Sequence, residues 1–128
     1  MKLLLDTGTF LWIVADAPEL SRRARELFQA PDNEVYLSAA SAWEIAVKHR
    51  LGKLPLPQPP DVFVPSQRRA HGIEPLPLDE ESALHVAKLP DLHRDPFDRM
   101  LVAQALVGGL AILTPDEPIR QYPVRAYW

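Results

Sequence analysis

Residues 2–6 read KLLLD, followed by Thr7-Gly8-Thr9 and then FLWIVA at 10–15. Three consecutive leucines show no polar alternation, so the run reads as a short strand buried on both faces. Asp6 ends it, and Thr-Gly-Thr forms a tight turn into a helix expected over about 9–15. A strand that ends on an acid and turns straight into a helix opens an α/β unit whose chemistry lies at the carboxyl end of the strand.

The same pattern continues along the chain. EVYLS at 34–38, IEPL at 73–76, LAILT at 110–114 and VRAY at 124–127 read as further short apolar strands. Helical spacing fills the intervals over about 20–30, 39–51, 61–71, 79–89 and 96–108. This alternation predicts a parallel sheet covered on both faces, with Asp6, Ser38 and Thr114 beyond the carboxyl ends of its strands. LPLPQPP at 54–60 cannot be helix interior and reads as a stiff connector within one domain over residues 1–128.

A chain of 128 residues is long enough to bury a core without staples, and it has no cysteine. Disulfides, thiolate metal sites and cysteine nucleophiles are therefore excluded, and oxygen and nitrogen groups must carry any chemistry. Asp6 interrupts the apolar N-terminal stretch and no run is long enough to span a membrane, so a soluble cytoplasmic protein is expected. A net charge of -3 gives no overall attraction for nucleic acid, which leaves local cationic groups to guide a phosphate backbone. His49, His71, His85 and His93 have no zinc-ligand spacing and read as surface groups. Nucleotide-binding loops and a serine-hydrolase elbow are absent. Trp12, Trp43 and Trp128 read as core or interface aromatics. Arg22, Arg23 and Arg25, and the group Lys48, His49, Arg50 and Lys53, read as solvated basic faces.

Four acids stand where strands end or helices begin, and each has a structural reading beside a chemical one. Asp6 suits a helix N-cap, although Thr7 and Thr9 are alternative caps. Glu44 completes the capping-box pattern Ser41-Ala42-Trp43-Glu44. Ser38, at the strand end, is the better cap, and it puts Glu44 in the second turn, toward the sheet edge. In Asp95-Pro96-Phe97-Asp98, Asp95 is the natural cap with proline at the first helical position, which frees Asp98 beside the positive end of the helix dipole. Asp116, in Thr114-Pro115-Asp116-Glu117-Pro118, reads equally as a turn residue and as a ligand. Thr114 is a candidate to orient a carboxylate, and Arg99, beside Asp98, is a candidate to reach a phosphate by a bidentate contact. Acids gathered in one small site repel one another and require a divalent cation or bound protons, so metal-dependent phosphodiester chemistry is the leading reading. The alternative is a non-catalytic α/β protein-binding module in which these acids only cap helices. A phosphoaspartyl phosphatase built on Asp6 is disfavoured, because Gly8 breaks the D-x-D arrangement that chemistry favours.

LLLDTGTFLW, SAASAWEIAVKHRLGKLPLP, HRDPFDRMLVAQAL and LAILTPDEPIRQYPVRAYW together resemble PIN-domain proteins of the VapC toxin type, from type II toxin–antitoxin systems, over nearly the whole chain. The resemblance implies a PIN-like three-layer α/β/α fold with a short central parallel sheet. It also implies a Mg²⁺- or Mn²⁺-dependent endoribonuclease with Asp6, Glu44, Asp98 and Asp116 as acidic ligands and Asp95 as an accompanying acid. A small antitoxin partner, an RNA substrate and a homodimer are expected on the same ground. The departure from the family pattern is Pro115, which precedes the last of the four acids.

Overall fold

Leu3, Leu4 and Leu5 are fully buried because their strand is the middle one of the sheet. The computed structural model describes residues 1–128. Its strands are β1 (Lys2–Leu5), β2 (Glu34–Ser38), β3 (Glu74–Leu76), β4 (Ala111–Leu113) and β5 (Ala126–Tyr127). They pair in the order β3-β2-β1-β4-β5, and every neighbouring pair is parallel. The helices are α1 (Thr7–Ala15), α2 (Arg22–Gln29), α3 (Ala39–Arg50), α4 (Pro60–Ala70), α5 (Glu80–His85), α6 (Pro96–Gly108) and α7 (Glu117–Arg120), with a 3-10 turn at Val86–Lys88.

The two-residue period of β1 divides the core. Leu3 and Leu5 pack with Phe10, Ile13, Ala24 and Phe63, so α1, α2 and α4 cover one face. Leu4 packs with Leu101, Val102, Ile112 and Ile119, so α6 and α7 cover the other. Helix α3 joins the two layers by giving Ile45 to the first cluster and Ala40 to the second. Each buried leucine contributes roughly 1.5–3 kcal/mol relative to an exposed one, which makes the unbroken LLL run the nucleus of a three-layer fold.

Local chemistry sets the boundaries. Asp6 caps α1, which therefore starts at Thr7, two residues earlier than its sequence pattern suggests. The segment expected as one helix over 79–89 changes at Val86 from α5 to the 3-10 turn. Helix α7 has no sequence counterpart, because a four-residue helix with a proline in its first turn is too short for periodicity to reveal. Gly109 ends α6 at φ 69°, and the Leu110 amide then bonds back to the Ala105 carbonyl at 2.9 Å. Pro75 is tolerated in β3 because that strand is at the sheet edge. No helix is long and apolar enough to cross a membrane.

The position of the site follows from this topology. The chain runs from β1 to β2 on one side and returns through β4 on the other, so the strand order reverses at β1 and a crevice opens beyond the carboxyl ends of β1 and β4. Asp6 directly follows β1, and Thr114 directly follows β4.

Candidate active site

Asp6, Glu44, Asp95, Asp98 and Asp116 all line one cavity of about 370 Å³ at this crevice, with Thr7, Gly8, Trp12, Lys48 and Pro115 completing the wall. Four separated stretches of sequence therefore supply carboxylates to one space. No three acidic or imidazole side chains stand in ready coordination geometry around a single point. The acids surround the cavity rather than converge at its centre.

Asp6 is buried and held on both carboxylate oxygens. Its Oδ1 accepts the Thr9 amide at 2.7 Å, which is the N-cap bond of α1, and its Oδ2 accepts the Thr114 hydroxyl. Capping and cavity lining are thus one role for this side chain rather than alternatives. Burial raises its pKa, opposed by the bonds from Thr114 and Thr9 and reinforced by the charge of Asp116. Thr114, itself fully buried, also accepts the Asp116 amide at 3.0 Å, so one hydroxyl fixes Asp6 and the turn that carries Asp116.

Glu44 lies in the second turn of α3. Ser38 is the cap of that helix and accepts the Ala40 amide at 3.0 Å, so the capping box allowed by Ser41 is not formed. The buried Glu44 carboxylate accepts the Thr7 hydroxyl on Oε1 at 2.6 Å and the Lys48 ammonium on Oε2. The bond to Glu44 raises the Lys48 pKa, with further raising by Asp95 and Asp98.

Asp95 caps α6 by accepting the amides of Phe97 at 2.9 Å and Asp98 at 3.1 Å, with Pro96 at the first helical position. Asp98 is left free of capping. Its side chain is 16% exposed, and Oδ2 bonds His93 Nε2 at 3.2 Å. Burial first, and then the negative charge of Asp95, push its carboxyl up to about 6 against the lowering effect of His93, with Asp116 and Glu44 adding to the rise. Asp116 occupies the N-cap position of α7 but makes no side-chain cap bond, so its carboxylate is not consumed by the helix.

Two sequence expectations are corrected here. Arg99 does not line the acidic cavity: its guanidinium donates to the Pro90 carbonyl at 2.9 Å, the Val86 carbonyl at 3.2 Å and the Tyr122 hydroxyl at 2.9 Å. Three hydrogen bonds to its own chain clamp the segment before α6, and the side chain next to Asp98 in sequence points away from it because neighbours on a helix face different directions. His93 is no surface group either, because its Nδ1 lies 2.8 Å from the Tyr122 hydroxyl and its Nε2 contacts Asp98. Arg99 donates to the same phenol oxygen, and the tautomer in which the phenol donates to Nδ1 directs an Nε2 proton at Asp98.

The sequence reading also misses Lys48, whose i,i+4 spacing from Glu44 is a usable signal, and Thr7, which reads from sequence only as a cap. The other basic groups follow the solvated-face reading only in part, since His49 is half-buried with Nδ1 3.0 Å from the Leu54 carbonyl and Arg25 is half-buried as well. Arg22 pairs with Glu26 at 3.1 Å on an exposed face, Arg25 pairs with Asp16, and Arg23 lies over the Tyr127 ring. Trp12 packs against Trp128 in a tilted pair with centroids 5.7 Å apart, whereas Trp43 is 60% exposed and meets Phe97 edge-on.

These features define a parallel α/β protein with a carboxylate-lined cavity at its topological switch point. The model of the PIN domain family matches residues 3–124, and the chain belongs to that family. Ribonuclease VapC16 of Mycobacterium tuberculosis (strain ATCC 25618 / H37Rv) is 44% identical over 69 residues, which are 54% of this chain and 49% of that protein. The matched region thus spans about half the length of this curated relative. The fold resembles DNA-bound VapBC from Salmonella typhimurium, with a TM-score of 0.69, 19% identity and coverage of 99% of this chain and 97% of that one. It also resembles VapBC2 from Rickettsia felis bound to a promoter DNA fragment, with a TM-score of 0.68, 14% identity and coverage of 99% and 98%.

Proposed function

We propose that this chain is a divalent-cation-dependent endoribonuclease, one PIN domain over residues 1–128, acting in the cytoplasm as the toxin of a toxin–antitoxin pair. The observation that carries this reading is the set of five carboxylates around one cavity at the switch point of a parallel sheet. The ribonuclease name of the Mycobacterium relative and the VapBC identity of the structural neighbours support it. A purely structural role for the acids explains Asp6 and Asp95, which cap helices. It leaves Asp98 and Asp116 without a purpose, since neither caps a helix and together they intensify a repulsion that raises the Asp98 pKa.

The donor set fits Mg²⁺ or Mn²⁺, because the ligands are hard oxygens and the cavity carries more negative charge than its own side chains neutralise. Asp6, Glu44, Asp98 and Asp116 would hold the cation, with Asp95 as the accompanying acid. When bound, such a cation polarises the phosphoryl group, supplies activated water and stabilises the leaving oxygen. The chain's own residues prepare that site. Thr114 and the Thr9 amide fix the direction of Asp6, and His93, oriented by Tyr122, fixes Asp98. These contacts limit the rotation of the acids before substrate arrives, which reduces the ordering cost on binding.

A small antitoxin and a second copy of the chain are the expected protein partners. Trp43 and Val47 on α3, with Leu51 just past its end, stand at four-residue intervals and form an exposed apolar stripe that suits a homodimer. An antitoxin helix with an apolar face and a basic side chain reaching the acids would block the cavity.

The direct test is cleavage of structured total RNA by purified protein in EDTA, Mg²⁺ or Mn²⁺, beside Asp98→Asn prepared identically. Cleavage should require the cation and fall about 100-fold or more in the variant, as expected for loss of a group that stabilises developing charge. Undiminished cleavage by Asp98→Asn, or in EDTA, would overturn the assignment.

A further inference from the structure

We propose that Lys48 is the cavity's internal counter-cation: its ammonium holds one oxygen of Glu44 and competes with a divalent ion for that carboxylate. The inference rests on the reading of the cavity as a divalent-cation site and adds to it a residue that governs how readily the ion enters.

Lys48 is the one cationic side chain among the residues lining the cavity, and the other charged groups there are all carboxylates. The helical i,i+4 spacing sets it one turn beyond Glu44 on α3, the separation at which a glutamate N-terminal to a lysine pairs well. Both oxygens of Glu44 are taken, Oε1 by the Thr7 hydroxyl and Oε2 by Lys48. Asp98 and Asp116 have no cationic lysine or arginine partner. The cavity is therefore divided into a Glu44 corner that carries its own cation and an Asp98–Asp116 side that does not.

Burial differs between the partners in a way that makes the contact replaceable. The Glu44 side chain is 7% exposed and that of Lys48 is 46% exposed. A buried carboxylate needs a cation more than a half-solvated ammonium needs a carboxylate. Without a divalent ion, Lys48 offsets the charge of Glu44 beside Asp95 and Asp98. When an ion enters, the ammonium can return to water at small cost while Glu44 turns to the ion. An ordinary surface pair would affect neither process, since such pairs contribute little and have no buried partner to strand.

Two opposite effects are expected of Lys48→Met: a lower melting temperature in EDTA, because Glu44 loses its counter-cation, and tighter binding of Mn²⁺, because Glu44 is released. The test is calorimetric titration of EDTA-stripped full-length protein with Mn²⁺ alone, for the parent, Lys48→Met, Glu44→Gln and the double variant. Lys48→Gln is measured alongside to guard against a packing effect of methionine. Lys48→Met should bind Mn²⁺ about two- to fivefold more tightly than the parent, the range set by the strength of a partly exposed pair. The gain should largely vanish in the Glu44→Gln background, because the carboxylate in contention is gone. An equal gain in both backgrounds would mean that Lys48 acts only through its distant field, and this would overturn the proposal, as would no gain at all. Saturable binding in the parent without coupling sinks the role of Lys48 and leaves the cation site standing, whereas no saturable Mn²⁺ binding in the parent sinks the site itself.

Discussion

The two sides of the acidic cavity use the same residue types for different purposes. On one side, Asp6 and Glu44 have every carboxylate oxygen engaged by an amide, a hydroxyl or an ammonium. On the other, Asp98 has only His93, and Asp116 caps nothing. Asp6 is tied into the fold through a helix cap and the end of β4, and Glu44 through the Thr7 hydroxyl and the replaceable Lys48 ammonium, so this side carries its own partners before any ligand arrives. The second side is where negative charge is left unpaired: burial first, and then the charge of Asp95, raise the Asp98 carboxyl to about 6, with Asp116 and Glu44 adding to the rise. A pocket that must both fold alone and attract a cation can assign its stability to one set of acids and its unmet charge to another.

The comparison can be broken most severely at His93, the principal support of the charged side. His93→Ala removes the donor that orients Asp98 and should weaken Mn²⁺ binding about 10- to 100-fold in a calorimetric titration, the usual effect of losing a ligand's supporting hydrogen bond. Tyr122→Phe should move affinity in the same direction by less, since His93 then keeps its bond to Asp98 but loses its orienting phenol. Unchanged affinity in both variants would reduce the Arg99–Tyr122–His93 chain to a loop clamp.

Acidity sharpens the contrast with a smaller effect. The Asp98 pKa is raised above its unfolded value, so this group's contribution to stability is fully present below about pH 4 and is lost as pH rises through about 6. Protons and a cation compete for the same charge. Mn²⁺ affinity should therefore fall by about tenfold per unit as pH drops below 6, if one proton is displaced on binding. Titrations at several pH values check this, and a flat profile between pH 7 and 5 would remove Asp98 from the ion's ligands.

Much of the site was legible in the sequence because its parts are local. KLLLD reads as a buried strand with its terminal acid, and Asp95-Pro96-Phe97-Asp98 separates a capping acid from a free one; both readings match the structure, which adds that the strand is the central one. Ser38 likewise displaced Ser41 as the cap of α3, which put Glu44 in the cavity wall. The chain from Arg99 through Tyr122 to His93 was not legible, because its contacts join residues 23 and 29 positions apart with no periodic signature. Arg99 misled for a related reason: sequence adjacency to Asp98 says nothing about direction on a helix. Lys48 stands among four basic residues that in isolation look like a solvated face; its i,i+4 spacing from Glu44 marks it as a pair, and the fold shows that this pair faces the cavity.

The unequal cavity is tested most directly by thermal unfolding of the parent, Asp6→Ala and Asp98→Asn, each in EDTA and in saturating Mn²⁺. In EDTA, Asp6→Ala should lose about 0.5–2 kcal/mol, the cost of a deleted N-cap. Asp98→Asn should melt above the parent under the same condition, because a buried and repelled charge is gone. Saturating Mn²⁺ should reverse that order by stabilising the parent far more than Asp98→Asn. If Asp98→Asn instead melts below the parent in EDTA, or gains as much from Mn²⁺ as the parent does, the charged side of the cavity is not a cation site.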